Sequence, residues 1–174
     1  MLTLEMPITT IPQLAEACAA EGLVPDNCEK IAQMLAAMFA VTKEEVAMLL
    51  LEKTQLGFVY PEKLKQVGKI PLNTTTSVAA RTATTKRSEA LNNFTATKHA
   101  SVFEAVNLGT PKPRVIQKMM SVPVISGTGV VGVIQVSRKG ATPQEAGADF
   151  APSDVQKLLG AAGQLAKCFK PAAA

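Results

Sequence analysis

No part of this chain constrains its fold more than Ile116–Ser137, which reads IQKMMSVPVISGTGVVGVIQVS. Two β-branched, apolar runs flank Ser126-Gly127-Thr128-Gly129, and residues of that kind suit a pleated, buried surface. Gly127, Gly129 and Gly132 also spell G-x-G-x-x-G, the nominal fingerprint of a dinucleotide-binding turn. That turn must open a helix, because the amides at a helix N-terminus hold the pyrophosphate. Gly132 instead leads into Val133-Ile134-Gln135-Val136, closed by Ser-Arg-Lys-Gly, and this is strand sequence. Gly127 and Gly129 are therefore expected to supply the positive φ of a short hairpin turn. Gly132, inside the second run, predicts a bulge or a close approach by another element.

A chain of 174 residues fits one domain, which buries roughly 70% of its unfolded surface and needs no staples. Its three cysteines, Cys18, Cys28 and Cys168, form no C-x-x-C. They read as small hydrophobes in a reducing compartment, neither disulfides nor a zinc site. Neither a basic leader nor a long apolar run appears, which predicts a cytoplasmic protein without a membrane span. The charge is uneven. Residues 1–30 hold five acids and one Lys, whereas residues 53–139 hold thirteen Lys or Arg against three acids. A basic body on an acidic start fits a solvated surface or an anionic ligand or partner. Nucleic acid fits poorly, because aromatics make up only 4% of the chain and none interleaves with a basic helix.

Taken in order, Thr10-Ile-Pro-Gln13 predicts a helix opened by a capping box, carrying Ile11, Leu14 and Cys18 and stopped at Gly22. Asp26 and Glu29 predict a second box opening a helix to about Ala40, with Ile31, Met34, Leu35 and Met38 on one face. In Glu45–Glu52 both alternating sets are apolar, which favours a strand covered on both faces, with a helix from Thr42 as competitor. Gln55-Leu-Gly57 reads as a tight connection into a strand Phe58-Val-Tyr60 that Pro61 ends. Thr75–Thr85 is a helix candidate capped by one of Thr74–Thr76, Ala90-Leu91 a short strand, and Lys98–Asn107 a helix candidate. Val155, Leu158, Leu159, Ala162, Leu165, Ala166 and Phe169 form the stripe of a closing helix. It starts at Pro152 or, with Ser153 as cap, slightly later.

With these elements in place the chain resembles a GAF domain, the small-molecule sensor fold related in architecture to PAS. The resemblance rests on Ser121-Val-Pro-Val-Ile125, the turn, Gly129-Val-Val-Gly132-Val-Ile-Gln-Val136, then Phe150 and Asp154 ahead of the closing helix. Ser77-Val-Ala-Ala-Arg81 and Ala90-Leu-Asn-Asn93 stand where the family places a helix and the strand after it. Coverage is about residues 30–170. The resemblance implies an α+β fold: a central antiparallel β-sheet with helices on both faces, over 41–170, after N-terminal helices in 1–40 and before a short tail, 171–174. It also implies a ligand pocket against residues 73–118 and a homodimer built through the terminal helices, with Ile31, Leu35, Met38, Val155, Leu159, Ala162 and Ala166 in the interface.

The known ligand signatures of that family are missing. Asn92-Asn93-Phe94 is followed by Thr-Ala-Thr, not by the acidic pair of cyclic-nucleotide binders. No Cys lies between 29 and 167, so neither tetrapyrrole attachment nor free methionine-sulfoxide reduction has its thiol. No cofactor is expected. Arg81, Arg87, Asn92, Asn93, Phe94, His99 and Phe103 are the candidate ligand contacts, since Arg offers a rigid fork to carboxylate or phosphate. His99, the one histidine, has neither a nucleophile nor an orienting acid at helical spacing, and a metal would need further ligands. The expected role is a non-enzymatic sensory module that binds a small, anionic ligand and signals through its terminal helices to an unidentified partner protein. A ligand-free dimerisation or interaction scaffold is the alternative, and an enzyme on the same fold the third reading.

Overall fold

Thr10 opens α1 (Ile11–Cys18) through the box its sequence predicts: its hydroxyl accepts from Gln13 N–H, and the Gln13 carboxamide reaches back to Thr10 N–H. A computed structural model describes residues 7–94 and 115–172. Helix α2 (Pro25–Phe39) begins ahead of the predicted box. Pro25, pre-set for a first helical turn, takes that position, and Val24 becomes the cap. Glu29 is then free to pair with Lys43 at 2.5 Å instead of capping. Ala40 closes the helix in the left-handed region, φ 54°.

The strand-or-helix ambiguity after Thr42 resolves in favour of the strand. Thr42 and Glu45 box a single 3-10 turn, Lys43–Glu45, and β1 (Val46–Glu52) comes next. The connection to β2 (Gln55–Tyr60) is Lys53-Thr54, with Lys53 at φ 58°, so Gln55–Gly57 belong to the strand and not to the turn. A 3-10 segment, Glu62–Val67, leads to the two-residue β3 (Ile70–Pro71). Helix α3 (Val78–Thr85) is capped by Ser77, whose hydroxyl accepts from Ala80 N–H, and not by the threonines before it. The short strand expected at Ala90-Leu91 is β4 (Glu89–Leu91).

The stretch Ile116–Ser137 is a long hairpin, β5 (Val115–Ser126) and β6 (Gly129–Gly140). Ser126 pairs with Gly129 across Gly127-Thr128, and Gly127 sits at φ 64°. Gly132 answers the close-approach expectation. A Cβ built there would stand 2.4 Å from Leu49 O and 2.5 Å from the Phe169 ring. After a single turn of helix, α4 (Pro143–Ala146), the closing helix α5 (Pro152–Leu165) begins at Pro152. Ala151 is its cap position; Asp154 accepts from Ala151 N–H at 2.8 Å, which compensates for the missing cap side chain.

All neighbouring strands run antiparallel in the order β3-β2-β1-β6-β5-β4. Because side chains alternate across a strand, the central strands serve two cores. Val46, Met48, Met120, Val122, Ile134 and Val136 pack under α1, α2 and α5. Ala47, Leu49, Met119 and Val133 pack on the other face, under α3. This is the α+β arrangement expected, and α2 shares one core with the sheet and α5.

Candidate functional site

Helix α3 is short and alanine-rich, so it lies close on β5 and β6. Under it a chain of polar side chains crosses the core. Gln135 Nε2 donates to Ser121 Oγ at 3.2 Å, Ser121 Oγ lies 2.7 Å from Thr82 Oγ1, and Thr82 Oγ1 donates to Val78 O at 2.9 Å. Thr82 commits its proton to Val78, so Ser121 must donate to Thr82. The bonds then run one way from the sheet into the helix. All three side chains are buried, at 2% exposure or less, where an unpaired polar group would be costly. Sequence reading missed this chain. Its signal was a polar residue, Ser121 or Gln135, set within the apolar middle of each of two strands.

Around this centre the candidate contacts divide. Arg81, the residue before Thr82 on α3, forms a fork to Glu89 of β4, with Nε to Oε1 at 2.7 Å and a second nitrogen to Oε2 at 2.9 Å. That hydrogen bond holds the guanidinium above its ordinary pKa. Asn92 spends its carboxamide on the Phe150 backbone, donating to Phe150 O at 3.0 Å and accepting from Phe150 N–H at 2.7 Å. Phe94 is fully buried in the α3-side core. Arg87 and Asn93 are exposed. His99, Phe103 and the helix expected at Lys98–Asn107 lie outside the described residues. The structure thus brings Arg81, Asn92 and Phe94 around α3 and β4, with the first two already engaged by the chain itself.

The residues expected at a dimer interface also divide. Ile31, Leu35, Val155 and Ala162 are buried within one chain, in the core beneath α1, α2 and α5. Met38, Leu159 and Ala166 stay half-buried at its margin. A cleft of about 490 Å³ opens at α1 and α2, lined by Ile8, Leu14, Lys30, Met34 and Ala37 among others.

The thiols stand apart from α3. Cys18, Cys28 and Cys168 are all buried in the opposite core. Burial pushes Cys28 and Cys168 up to about 11, and Cys18 up as well. Neutral, enclosed thiols are poor nucleophiles. Among the described residues no group of His, Cys, Asp or Glu could hold a metal ion, and no helix is long and apolar enough to cross a membrane.

The family model described as GAF domain matches residues 25–169. The chain belongs to this family. The match takes in α2, the whole sheet and α5. A GAF domain is in general a sensory or regulatory module, and the solved structures similar to this one include three different settings. The GAF domain of an Acinetobacter phosphoenolpyruvate-protein phosphotransferase is 15% identical, with a TM-score of 0.64 over 91% of this chain and 89% of that one. Residues 122 to 287 of a methyl-accepting chemotaxis protein are 15% identical, with a TM-score of 0.63 over 91% and 94%. A free methionine-R-sulfoxide reductase from Neisseria meningitidis, solved with its substrate, is 16% identical, with a TM-score of 0.60 over 97% and 96%. At these identities the likeness is one of fold. Comparison with curated proteins returned no match.

Proposed function

We propose that this GAF domain is a non-enzymatic sensory module that takes a small anionic ligand on the α3–β4 side of its sheet. The observation that carries the reading is the Arg81–Glu89 fork at the rim of a polar-centred core. A carboxylate or phosphate can replace the Glu89 carboxylate on the guanidinium with the same two-bond geometry. Such an exchange would free β4 from α3, and a ligand that binds one arrangement better shifts the population toward it. The terminal helices α2 and α5 share one core with the sheet and would pass the shift to a protein partner or a second copy. Met38, Leu159 and Ala166 are the interface candidates that stay partly accessible.

Catalysis of the kind named for the reductase neighbour finds no thiol on this side, since every cysteine lies in the opposite core with a neutral Sγ. One observation favours a second reading, a ligand-free interaction scaffold: Arg81 and Asn92 already satisfy their hydrogen bonds within the chain. A thermal-shift panel of small carboxylates, phosphates and nucleotides separates the two. Binding predicts a saturable rise in Tm, worth about 2.7 kcal/mol at a hundredfold excess over Kd, that Arg81→Met abolishes. Silence across the panel would sink the sensor reading and leave the scaffold.

A further inference from the structure

Three side chains from the sheet converge on residues 147–150, the stretch that leads into α5. Asn92, immediately after β4, exchanges both hydrogen bonds with the Phe150 backbone, at 3.0 and 2.7 Å. One carboxamide thus reproduces the pair of bonds that opposite residues share in an antiparallel ladder, and it hangs the residue before the α5 cap from the end of β4. Lys118 of β5, buried with only 6% exposure, donates to Gly147 O at 2.6 Å and pairs with the Asp149 carboxylate at 2.8 Å. Arg138, opposite Lys118 in the β5–β6 register, lies 4.7 Å from the Phe150 ring centroid and donates to Phe39 O at the end of α2.

These contacts stand or fall together. If Phe150 swings away, Asn92 loses donor and acceptor partners at once, because its carboxamide is rigid and both bonds go to one residue. The Phe150 ring leaves the Arg138 guanidinium, and where Gly147 and Asp149 move with it the buried Lys118 ammonium loses its carbonyl and carboxylate partners as well. Asp149 is exposed and Asn92 half-buried, so the costly loss falls on Lys118, whose buried ammonium would be left without its partners. Two arrangements, latched and released, are therefore favoured over a continuum.

We propose that Asn92 is a coupling residue, which makes β4 and the first turn of α5 open and close as one unit through the 147–150 strap. The coupling belongs to the chain itself and holds whether or not a ligand binds, so it stands apart from the sensor reading. Coupling of this kind is reciprocal: loosening either end must loosen the other by the same factor.

Native-state amide hydrogen exchange on the full chain tests it. Asp154→Ala removes the carboxylate that holds Ala151 N–H and frays the start of α5. With Asn92 present, that substitution is expected to speed exchange at Glu89–Leu91 by about tenfold, within the usual range for coupled sites. In an Asn92→Leu background the same substitution is expected to leave β4 unchanged within about twofold while still speeding α5, as uncoupled sites behave. Asn92→Asp, which keeps the acceptor and loses the donor, is expected to give an intermediate transfer, and it supplies the cycle alone if Asn92→Leu does not fold. An effect of Asp154→Ala confined to α5 when Asn92 is present, or one that reaches β4 equally in both backgrounds, overturns the proposal. So does faster exchange spread evenly into β1 and β6, which marks global destabilisation.

Discussion

The two faces of the sheet are built on different terms. The face under α1, α2 and α5 is wide and apolar: Ile31, Leu35, Leu158 and Leu165 meet Met120, Val122 and Ile134, and Lys118 of β5 and Arg138 of β6 spend their charges on the strap that leads into α5. The face under the eight-residue α3, which also takes Leu64 from the 3-10 segment Glu62–Val67, carries Gln135, Ser121 and Thr82 at its middle. Burial of aliphatic side chains is non-directional and tolerates only changes that keep volume. A hydrogen-bonded chain is directional, and it stays favourable only while each member keeps its partner. The first face therefore responds to changes of volume, and the second to the loss of any one hydrogen-bond partner.

The contrast can be broken on either side. Leu35→Ala empties the apolar face at a fully buried position and is expected to cost about 2–5 kcal/mol in urea unfolding. A loss below about 1 kcal/mol would mean that α2 is not integral to the core. Ser121→Ala cuts the polar chain in its middle, leaving the Gln135 donor and the Thr82 acceptor unserved, for about 1–3 kcal/mol. The double change Ser121→Ala, Gln135→Met is expected to recover part of that loss, because removing both partners spares the desolvation penalty; equal or greater loss in the double variant would deny that the chain is a unit.

The smallest effect concerns the thiols of the apolar face. Cys28 and Cys168 titrate near 11 in the folded protein against an ordinary 9.0. Their contribution is fully present below about pH 9 and is lost as the pH rises toward 11, because the unfolded chain releases those protons first. Stability should fall more steeply with alkaline pH in the native sequence than in a Cys28→Ala, Cys168→Ala variant. Parallel slopes would place these sulfurs in contact with water.

Much of the fold was legible because local physics and tertiary packing agree there. Thr10 and Gln13 box α1, both alternating sets of β1 are apolar and both are buried, and Gly127 turns the hairpin. Where the sequence misled, a neighbour in space or a competing local group won. Pro25 displaced the box expected at Asp26, Ser77 outcompeted the threonines before it, and Lys53 turned left-handed so that Gln55–Gly57 could pair with Leu50–Glu52. The candidate site was less legible. Arg81 lies on α3 and Asn92 just after β4, but their partners, Glu89 and Phe150, lie eight and fifty-eight positions away, and no periodicity encodes such pairings.

What the sequence by itself determined is the hairpin with its glycines, the two-faced central strand, the apolar stripes of α2 and α5, and the family. Those arise from dihedral preference and from hydrophobic period, both properties of a residue and its near neighbours. Only the tertiary structure decided that Gly132 makes room for Phe169, that Ile31 and Leu35 are spent inside one chain, and that Gln135, Ser121 and Thr82 join into one polar chain. Each of these depends on which face meets which, and that is settled by packing density and by the cost of leaving a buried polar group alone.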